Sequence, residues 1–123
     1  MQTTGLPFAL KENAMKYTDI QNSIGFFKAV YKLVAQIPTG KVMTYGQIAF
    51  IIGRPGASRT VGYAMSSAPA GLPCHRVVNR LGEMAPGDIF GGAAEQRRML
   101  EAEGISFLPN GRIDLKNNIW DGA

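Results

Sequence analysis

Acidic residues are missing from a long internal stretch of this 123-residue chain. No Asp or Glu lies between Asp19 and Glu83, and all nine acids of the chain fall outside that stretch. Because a surface without a polyanionic partner usually mixes both signs, we expect this acid-free block to direct a positive field towards a polyanion. A solvated basic surface with no partner is the alternative, and charge alone does not separate the two. The cations of the block are Lys28, Lys32, Lys41, Arg54, Arg59, Arg76 and Arg80.

Cysteine and histidine are equally scarce, with one of each in the chain. A single Cys cannot form an internal disulfide, and one Cys with one His cannot supply a structural zinc cage. Cys74 is therefore expected to be a free thiol in a reducing compartment. We expect neither a metal nor a cofactor.

Long hydrophobic runs are also missing. No run approaches the roughly 18 apolar residues that a membrane span needs. The N-terminus lacks the charged-then-apolar order of a secretory signal, which predicts a cytoplasmic, nucleoid-associated protein without a membrane partner. At 46% hydrophobic residues the chain can bury a core. We expect one domain over residues 23–123, preceded by a poorly ordered extension over residues 1–22.

Helical periodicity begins at Phe26, and apolar residues continue on one face as far as Ile37. The spacing predicts a further helix over residues 93–103, ending at Gly104. Two apolar segments around Pro109-Asn110-Gly111 predict a β-hairpin. The chain is therefore expected to be mainly helical with short β structure.

Two short helices are predicted in the middle of the acid-free block. Thr44 and Gln47 form a capping box that starts the first, and Gly53 occupies its C-terminal cap position. The second covers Ala57 to Ser66 after a tight Gly/Pro turn. Such a pair resembles a helix-turn-helix, in which the second helix enters a groove of DNA, although similar pairs also serve as plain packing units.

Cys74 has possible partners for thiol chemistry nearby. Only the thiolate is nucleophilic, and a free Cys has a pKa of about 8.5, so a reactive Cys74 needs a base. His75 and Arg76 adjoin it, and Glu103 is available from the last helix. We expect residues 74–78 to be extended, which would turn Cys74 and His75 to opposite faces and require a bridging water or a turn. The alternatives are that Cys74 is a small buried hydrophobe and that His75 is an ordinary polar residue.

The segment Pro73-Cys74-His75-Arg76-Val77-Val78 resembles the active-site signature of the O6-alkylguanine-DNA alkyltransferases. Further similar segments occur in the family's order, and the resemblance covers about residues 26 to 120. They are Ile37-Pro38-Thr39-Gly40-Lys41-Val42, Thr44-Tyr45-Gly46-Gln47-Ile48-Ala49, Ser58-Arg59-Thr60-Val61-Gly62 and Leu100-Glu101-Ala102-Glu103-Gly104.

The resemblance implies a mainly α fold, a small helical bundle with a winged helix-turn-helix core and short β hairpins. It implies a monomer that binds the minor groove of double-stranded DNA and rotates O6-alkylguanine out of the stack. Tyr45 matches the tyrosine that helps to rotate the nucleotide, and Arg59 matches the arginine that fills the vacated space. The backbone at Cys74 and Val77 matches the groups that read the guanine edge. The remaining expected DNA contacts are Thr44, Gln47, Ser58, Gly62, Met65 and Arg76.

The resemblance also implies the chemistry. His75 would take the thiol proton through a water, and Glu103 would orient the imidazole. The Cys74 thiolate would then attack the alkyl carbon and release guanine. The resulting thioether is stable, so the protein would act once.

Several positions depart from the family pattern. Ala68 stands where the family has an asparagine, Ile89 and Phe90 where it has a tyrosine and a serine over the pocket, and Gln96 where it has a lysine. The compact size and the tail around Trp120 resemble the alkyltransferase-like proteins, which bind alkylated guanine without removing the alkyl group and flag it for nucleotide-excision repair.

Three hypotheses follow from these features. The first is a stoichiometric alkyltransferase that uses Cys74, and the second is a non-enzymatic lesion sensor. The third is a helix-turn-helix regulator or another thiol enzyme. A regulator would need a dimerisation helix, which the sequence does not show, and a thiol hydrolase would leave the basic block unexplained.

Overall fold

The computed structural model describes residues 22–123. The expected N-terminal extension therefore lies outside the described residues, except for residue 22, which already belongs to the first helix. This helix, α1, covers the described residues 22–34. Phe26, Val30 and Val34 point into the core from α1, and Ile37 follows them just beyond its end. Within residues 22–123 no helix is both long and apolar enough to cross a membrane.

The start of α2 is fixed by the predicted capping box. The short strand β1 (Met43–Thr44) leads directly into α2 (Tyr45–Ile51). The Gln47 amide N–H donates to Thr44 Oγ1 at 3.1 Å, and the Thr44 N–H donates to Gln47 Oε1, also at 3.1 Å. This reciprocal pair satisfies two backbone donors that the helix itself leaves unpaired. It orients the first residue of α2, Tyr45.

The end of α2 is a glycine cap. Gly53 has a φ of +92°, a conformation that costs glycine no steric strain. Its N–H donates to the Phe50 carbonyl at 3.0 Å, and the Arg54 N–H donates to the Ala49 carbonyl at 2.9 Å. These two bonds form the Schellman arrangement that closes a helix and redirects the chain. The predicted position of Gly53 at the helix end is confirmed.

Helix α3 (Ser58–Ser66) follows this turn, close to the predicted bounds, with Ala57 as its N-cap residue. Val61, Ala64 and Met65 are buried and face α2, against which α3 packs. The predicted pair of short helices is therefore present as a packed unit. The opposite face of α3 remains open to solvent.

The segment after Pro73 differs from the sequence prediction. Residues Cys74–Arg76 form a 3-10 turn, and the strand β2 (Val77–Val78) follows it. Pro73 has the φ of −77° that its ring imposes, and its carbonyl accepts the Arg76 N–H at 3.0 Å. The expectation of an extended chain over residues 74–78 was wrong for Cys74–Arg76, because Pro73 starts a turn there, and it was right for Val77–Val78.

The strands pair in a way that the sequence does not suggest. β1 and β2 are parallel, with Met43 opposite Val77. Val42 bridges to Ile119 on the other side, also in parallel. β1 and the preceding Val42 therefore connect the segment that follows the Cys74 turn to the C-terminal tail.

The C-terminal part contains α4 (Ala93–Ala102), with Glu103 as its C-cap residue, as predicted. A 3-10 turn, Ile89–Gly91, precedes it. The predicted hairpin is reduced to one antiparallel bridge between Phe107 and Ile113. After that bridge the chain forms the short helix α5 (Leu115–Asn118).

Two hydrophobic clusters fill the interior. The main core collects side chains from α1, α2, α3 and the Cys74 turn, and a smaller cluster lies under the hairpin. The smaller cluster is made by Val42, Val78, Leu100, Ile105 and Ile113. Together they give the predicted mainly helical architecture, with the Cys74 turn at the edge of the main core.

Candidate functional site

Cys74 begins the 3-10 turn and is buried, with 6% of its surface exposed. Burial raises the pKa of its thiol to about 11, because the apolar surroundings disfavour the thiolate. At neutral pH the sulfur therefore carries its proton. A nucleophilic role requires a base and a change of surroundings when substrate binds.

The imidazole of the adjacent His75 is held by a carboxylate. Its Nε2 lies 2.8 Å from Glu103 Oε2. Hydrogen bonds from Arg76, and then from His75, lower the pKa of Glu103 from 4.5 to about 2, so this carboxylate is ionised and can only accept. The imidazole consequently carries its proton on Nε2, which leaves the Nδ1 lone pair to receive another. Within residues 22–123 no hydrogen bond joins the thiol to the imidazole, so a proton passing between them needs an intermediary such as water.

Arg76 completes the carboxylate's surroundings. Its Nε donates to Glu103 Oε1 at 2.9 Å and its Nη2 to Glu103 Oε2 at 2.8 Å. Its Nη1 also donates to the Ile37 carbonyl at 2.8 Å, and its side chain is only 15% exposed. Arg76 was expected to contact DNA, but its guanidinium is turned inwards because Glu103 is its counter-ion. It anchors the Cys74 turn to the chain following α1.

A cavity of about 440 Å³ opens between α3 and the loop before α4. Two residues of its wall come from helix starts: Tyr45 is the first residue of α2, and Arg59 lies in the first turn of α3. Burial, and then the charge of a Cys74 thiolate, raises the pKa of Tyr45, which keeps its hydroxyl protonated as a hydrogen-bond donor. The cavity is lined by Tyr45, Ser58, Arg59, Gly62, Tyr63, Ser66, Pro86 and Ile89.

Four residues expected to contact DNA thus line one cavity: Tyr45, Ser58, Arg59 and Gly62. A smaller cavity of about 220 Å³ lies beside it and shares Tyr45 and Ser58, with Arg80 on its wall. Tyr45 and Arg59, the aromatic and the cationic residue expected to contact DNA, therefore lie on the wall of the same cavity, although they come from different helices.

The other residues expected to contact DNA use their side chains in a helix cap or in the core. Thr44 and Gln47 use their side chains in the capping box. Met65 is 5% exposed and packs in the main core. Val77 is fully buried, and its N–H donates to the Cys74 carbonyl across the turn. None of these four side chains lines the larger cavity.

The sequence alone did not indicate Tyr63, and it marked Ile89, Phe90 and Gln96 only as departures from the family pattern. Tyr63 lines the cavity one helical turn after Arg59 and is 61% exposed, a large aromatic on the solvent face of α3. Its spacing of four from Arg59 could have indicated it. Ile89 lines the cavity, whereas its neighbour Phe90 packs against the main core with a φ of +61°. Gln96 is completely buried between the Cys74 turn and the loop before α4.

The charges of the acid-free block agree with an exposed basic surface. Among the Lys and Arg residues of the block, Arg76 alone forms an ion pair within the described part of the chain. Arg59 and Arg80 are exposed beside the two cavities. The surface around the cavities therefore offers uncompensated positive charge.

The chain is similar in sequence and in structure to known proteins. Alkyltransferase-like protein 1 of Schizosaccharomyces pombe is 38% identical over 96 residues, which are 76% of this chain and 89% of that protein. A crystal structure of S. pombe Atl1 in complex with damaged DNA containing O6-carboxymethylguanine matches with a TM-score of 0.68 and 37% identity, covering 78% of this chain and 94% of that one.

Both branches of the family are represented among the relatives. The DNA base-flipping protein of Escherichia coli is 41% identical, over 78% of this chain and 74% of that protein. The methylated-DNA–protein-cysteine methyltransferase of Shigella flexneri is 44% identical over 68% of this chain, but the match spans only 48% of that enzyme. The family model for the 6-O-methylguanine DNA methyltransferase, DNA binding domain, matches residues 25–105. The chain therefore belongs to the 6-O-methylguanine DNA methyltransferase DNA-binding domain family.

Proposed function

We propose that this protein recognises O6-alkylguanine in duplex DNA by nucleotide flipping and transfers the alkyl group irreversibly to Cys74. The observation that carries the proposal is that a cavity and a base paired with a carboxylate occur together in one site. Tyr45, which lines the cavity together with Arg59, packs against the main core cluster that contains Cys74. The paired base, His75 with Glu103, follows the thiol directly.

Recognition would begin with the exposed cations of the acid-free block, which neutralise phosphates and release counterions. Helix α3 would lie in the minor groove, where Arg59 is free to fill the space that the extruded nucleotide leaves. Flipping costs a few kcal/mol, which contacts in the cavity must offset. Tyr45, held at the start of α2 by the capping box, would steer the nucleotide and donate to the base.

Transfer would follow once the flipped guanine excludes bulk water from the Cys74 turn. The Cys74 proton would pass through a bridging water to His75 Nδ1, and the ionised Glu103 would stabilise the imidazolium. The sulfur then forms a bond to the alkyl carbon while the bond from that carbon to guanine O6 breaks. Guanine leaves with the electron pair and takes up a proton, and the thioether remains on the protein.

One alternative is a lesion sensor that binds O6-alkylguanine, leaves the alkyl group in place and signals to nucleotide-excision repair proteins. The burial of Cys74 and its raised pKa favour this alternative, because an unactivated thiol reacts slowly. The alanine at position 68 supports it too, since it removes a side-chain amide from the active-site turn. Both alternatives share the recognition step and differ only in the fate of the sulfur.

Mass spectrometry of the intact protein separates them. The protein is incubated with a duplex containing O6-methylguanine, and a mass increase of one methylene is expected. The increase should disappear in Cys74→Ala, because the chain has one cysteine. Lesion-specific binding without any mass increase would replace the transfer proposal with the sensor. An equal affinity for modified and unmodified duplex would contradict both.

A further inference from the structure

Helix α4 contacts the Cys74 turn at two points, seven residues apart. Glu103, at its C-terminal end, pairs with the side chains of His75 and Arg76. Gln96, two turns earlier, contacts the backbone of the same turn. The side-chain contact belongs to the proton relay already described, whereas the backbone contact has no assigned role.

The geometry of the Gln96 amide is that of a bridge. Its Nε2 donates to the His75 carbonyl at 3.2 Å, and its Oε1 accepts the Ala85 N–H at 2.7 Å. The side chain is completely buried. A buried amide destabilises a protein unless its polar atoms are hydrogen-bonded, so these two bonds fix both its position and its orientation.

The two backbone groups belong to opposite sides of the site. His75 follows the acceptor Cys74, and Ala85 precedes Pro86, which lines the large cavity together with Ile89. A single amide group therefore links the turn that carries the thiol to the loop that forms the cavity wall, and the length of the side chain sets how far both lie from α4.

We propose that Gln96 is a positioning residue that sets the spacing between the acceptor turn and the cavity wall, and so controls which bases are accepted. The inference rests on the proposed function. A flipped guanine has to fit between these two walls, and misplacement by about 1 Å is enough to cost a large part of a reaction rate. Gln96 acts through the backbone of His75 and Ala85 and does not touch the substrate.

The test compares two variants of Gln96 with one matched control. Gln96→Met retains a similar volume but removes both hydrogen bonds, and Gln96→Asn retains the amide but holds it one methylene too close to α4 to reach the two partners. The control is Asn118→Leu, which removes another buried amide, one that donates to the Asp114 carbonyl at 2.7 Å in α5. All three are expected to lower thermal stability.

Affinity is measured for duplexes with and without O6-methylguanine, in a Cys74→Ala background that prevents turnover. Both Gln96 variants are expected to lower the ratio of the two affinities by about tenfold, with unchanged affinity for unmodified duplex. In the Cys74 background the same variants should slow methyl transfer, and Asn118→Leu should change neither quantity.

The outcomes distinguish this inference from the proposed function. Wild-type discrimination retained by both Gln96 variants would overturn the positioning role while leaving the proposed function intact. Equal losses in the Gln96 variants and in Asn118→Leu would reduce Gln96 to a stabilising residue. Failure of the parent protein to prefer modified duplex would contradict the proposed function itself.

Discussion

Cys74 and His75 are neighbours in the chain, yet no hydrogen bond joins the thiol to the imidazole within the described residues. The thiol packs in the main core, and the imidazole faces Glu103. The 3-10 turn thus separates the group that would react from the group that would activate it. A relayed proton transfer suits this geometry, because the intermediary can enter together with the substrate.

The reactivity of Cys74 in the free protein should be low at neutral pH and should increase with pH. Burial raises the pKa of the thiol to about 11, so the thiolate fraction increases about tenfold per pH unit up to that value. The rate of alkylation by iodoacetamide, followed by intact mass, is expected to rise without a plateau between about pH 7 and pH 10. A half-maximal rate near pH 8.5, the pKa of an ordinary thiol, would contradict the burial of Cys74.

Replacing Arg59 should weaken lesion binding without affecting folding. Arg59 is exposed and lines the large cavity, so Arg59→Ala removes no packing in the core. We expect about a tenfold loss of affinity for duplex containing O6-methylguanine, measured by fluorescence anisotropy at fixed salt. Arg98→Ala is the control, because Arg98 is an exposed arginine outside the cavity. Similar losses in the two variants would indicate a general charge effect only.

Glu103 should stabilise the fold in a pH-dependent way. Its pKa is lowered from 4.5 to about 2 in the folded chain, so its stabilisation is complete above about pH 5 and is lost as the pH falls towards 2. At pH 7, Glu103→Gln leaves Arg76 without its counter-ion and is expected to lower the free energy of unfolding by about 2 kcal/mol.

The difference between wild type and Glu103→Gln should narrow below about pH 4.5, as followed by urea denaturation at a series of pH values. The control is Glu101→Gln, two residues earlier. Its exposed pair with Arg97 contributes less than about 0.5 kcal/mol. A difference between Glu103→Gln and wild type that stays constant down to pH 2.5 would contradict the lowered pKa.

Replacing the glycine that caps α2 should lower the stability of the protein. Gly53→Ala forces a side chain into a φ of +92° and is expected to destabilise the protein by about 1 kcal/mol. Gly25→Ala, in α1, meets no atom within 4 Å and should be neutral or stabilising by up to about 1 kcal/mol. Thermal unfolding measures both, and a stabilised Gly53→Ala would mean that the Schellman turn does not form.

Local rules predicted the helical pair well. The capping box at Thr44 and the glycine at position 53 are signals whose causes lie within a few residues, and both helices appeared close to the expected bounds. The turn at Cys74 was missed because Pro73 can begin either an extended segment or a turn. The parallel pairing of Met43 with Val77 depends on contacts between distant parts of the chain, which no local pattern contains.

The residues proposed to take part in the chemistry could be predicted from the sequence, whereas a residue that acts through the backbone of others could not. Resemblance to a known family gave Cys74, His75 and Glu103, and the structure brings the last two into contact. Gln96 was noticed only as a departure from the family. Its bridging position depends on the packing of α4 against two loops, and so it became visible only in three dimensions.

The capping glutamine of α2 has a second partner at the far end of the chain. Gln47 Nε2 donates to the carbonyl of Trp120, and the Trp120 N–H donates to Val42 beside β1. The tail thus braces the helix turn from which Tyr45 projects. Trimming the protein before Trp120, or fusing a rigid partner there, would disturb the cavity while leaving every residue that lines it in place. Anyone preparing shortened or tagged versions should therefore leave the backbone of Trp120 undisturbed.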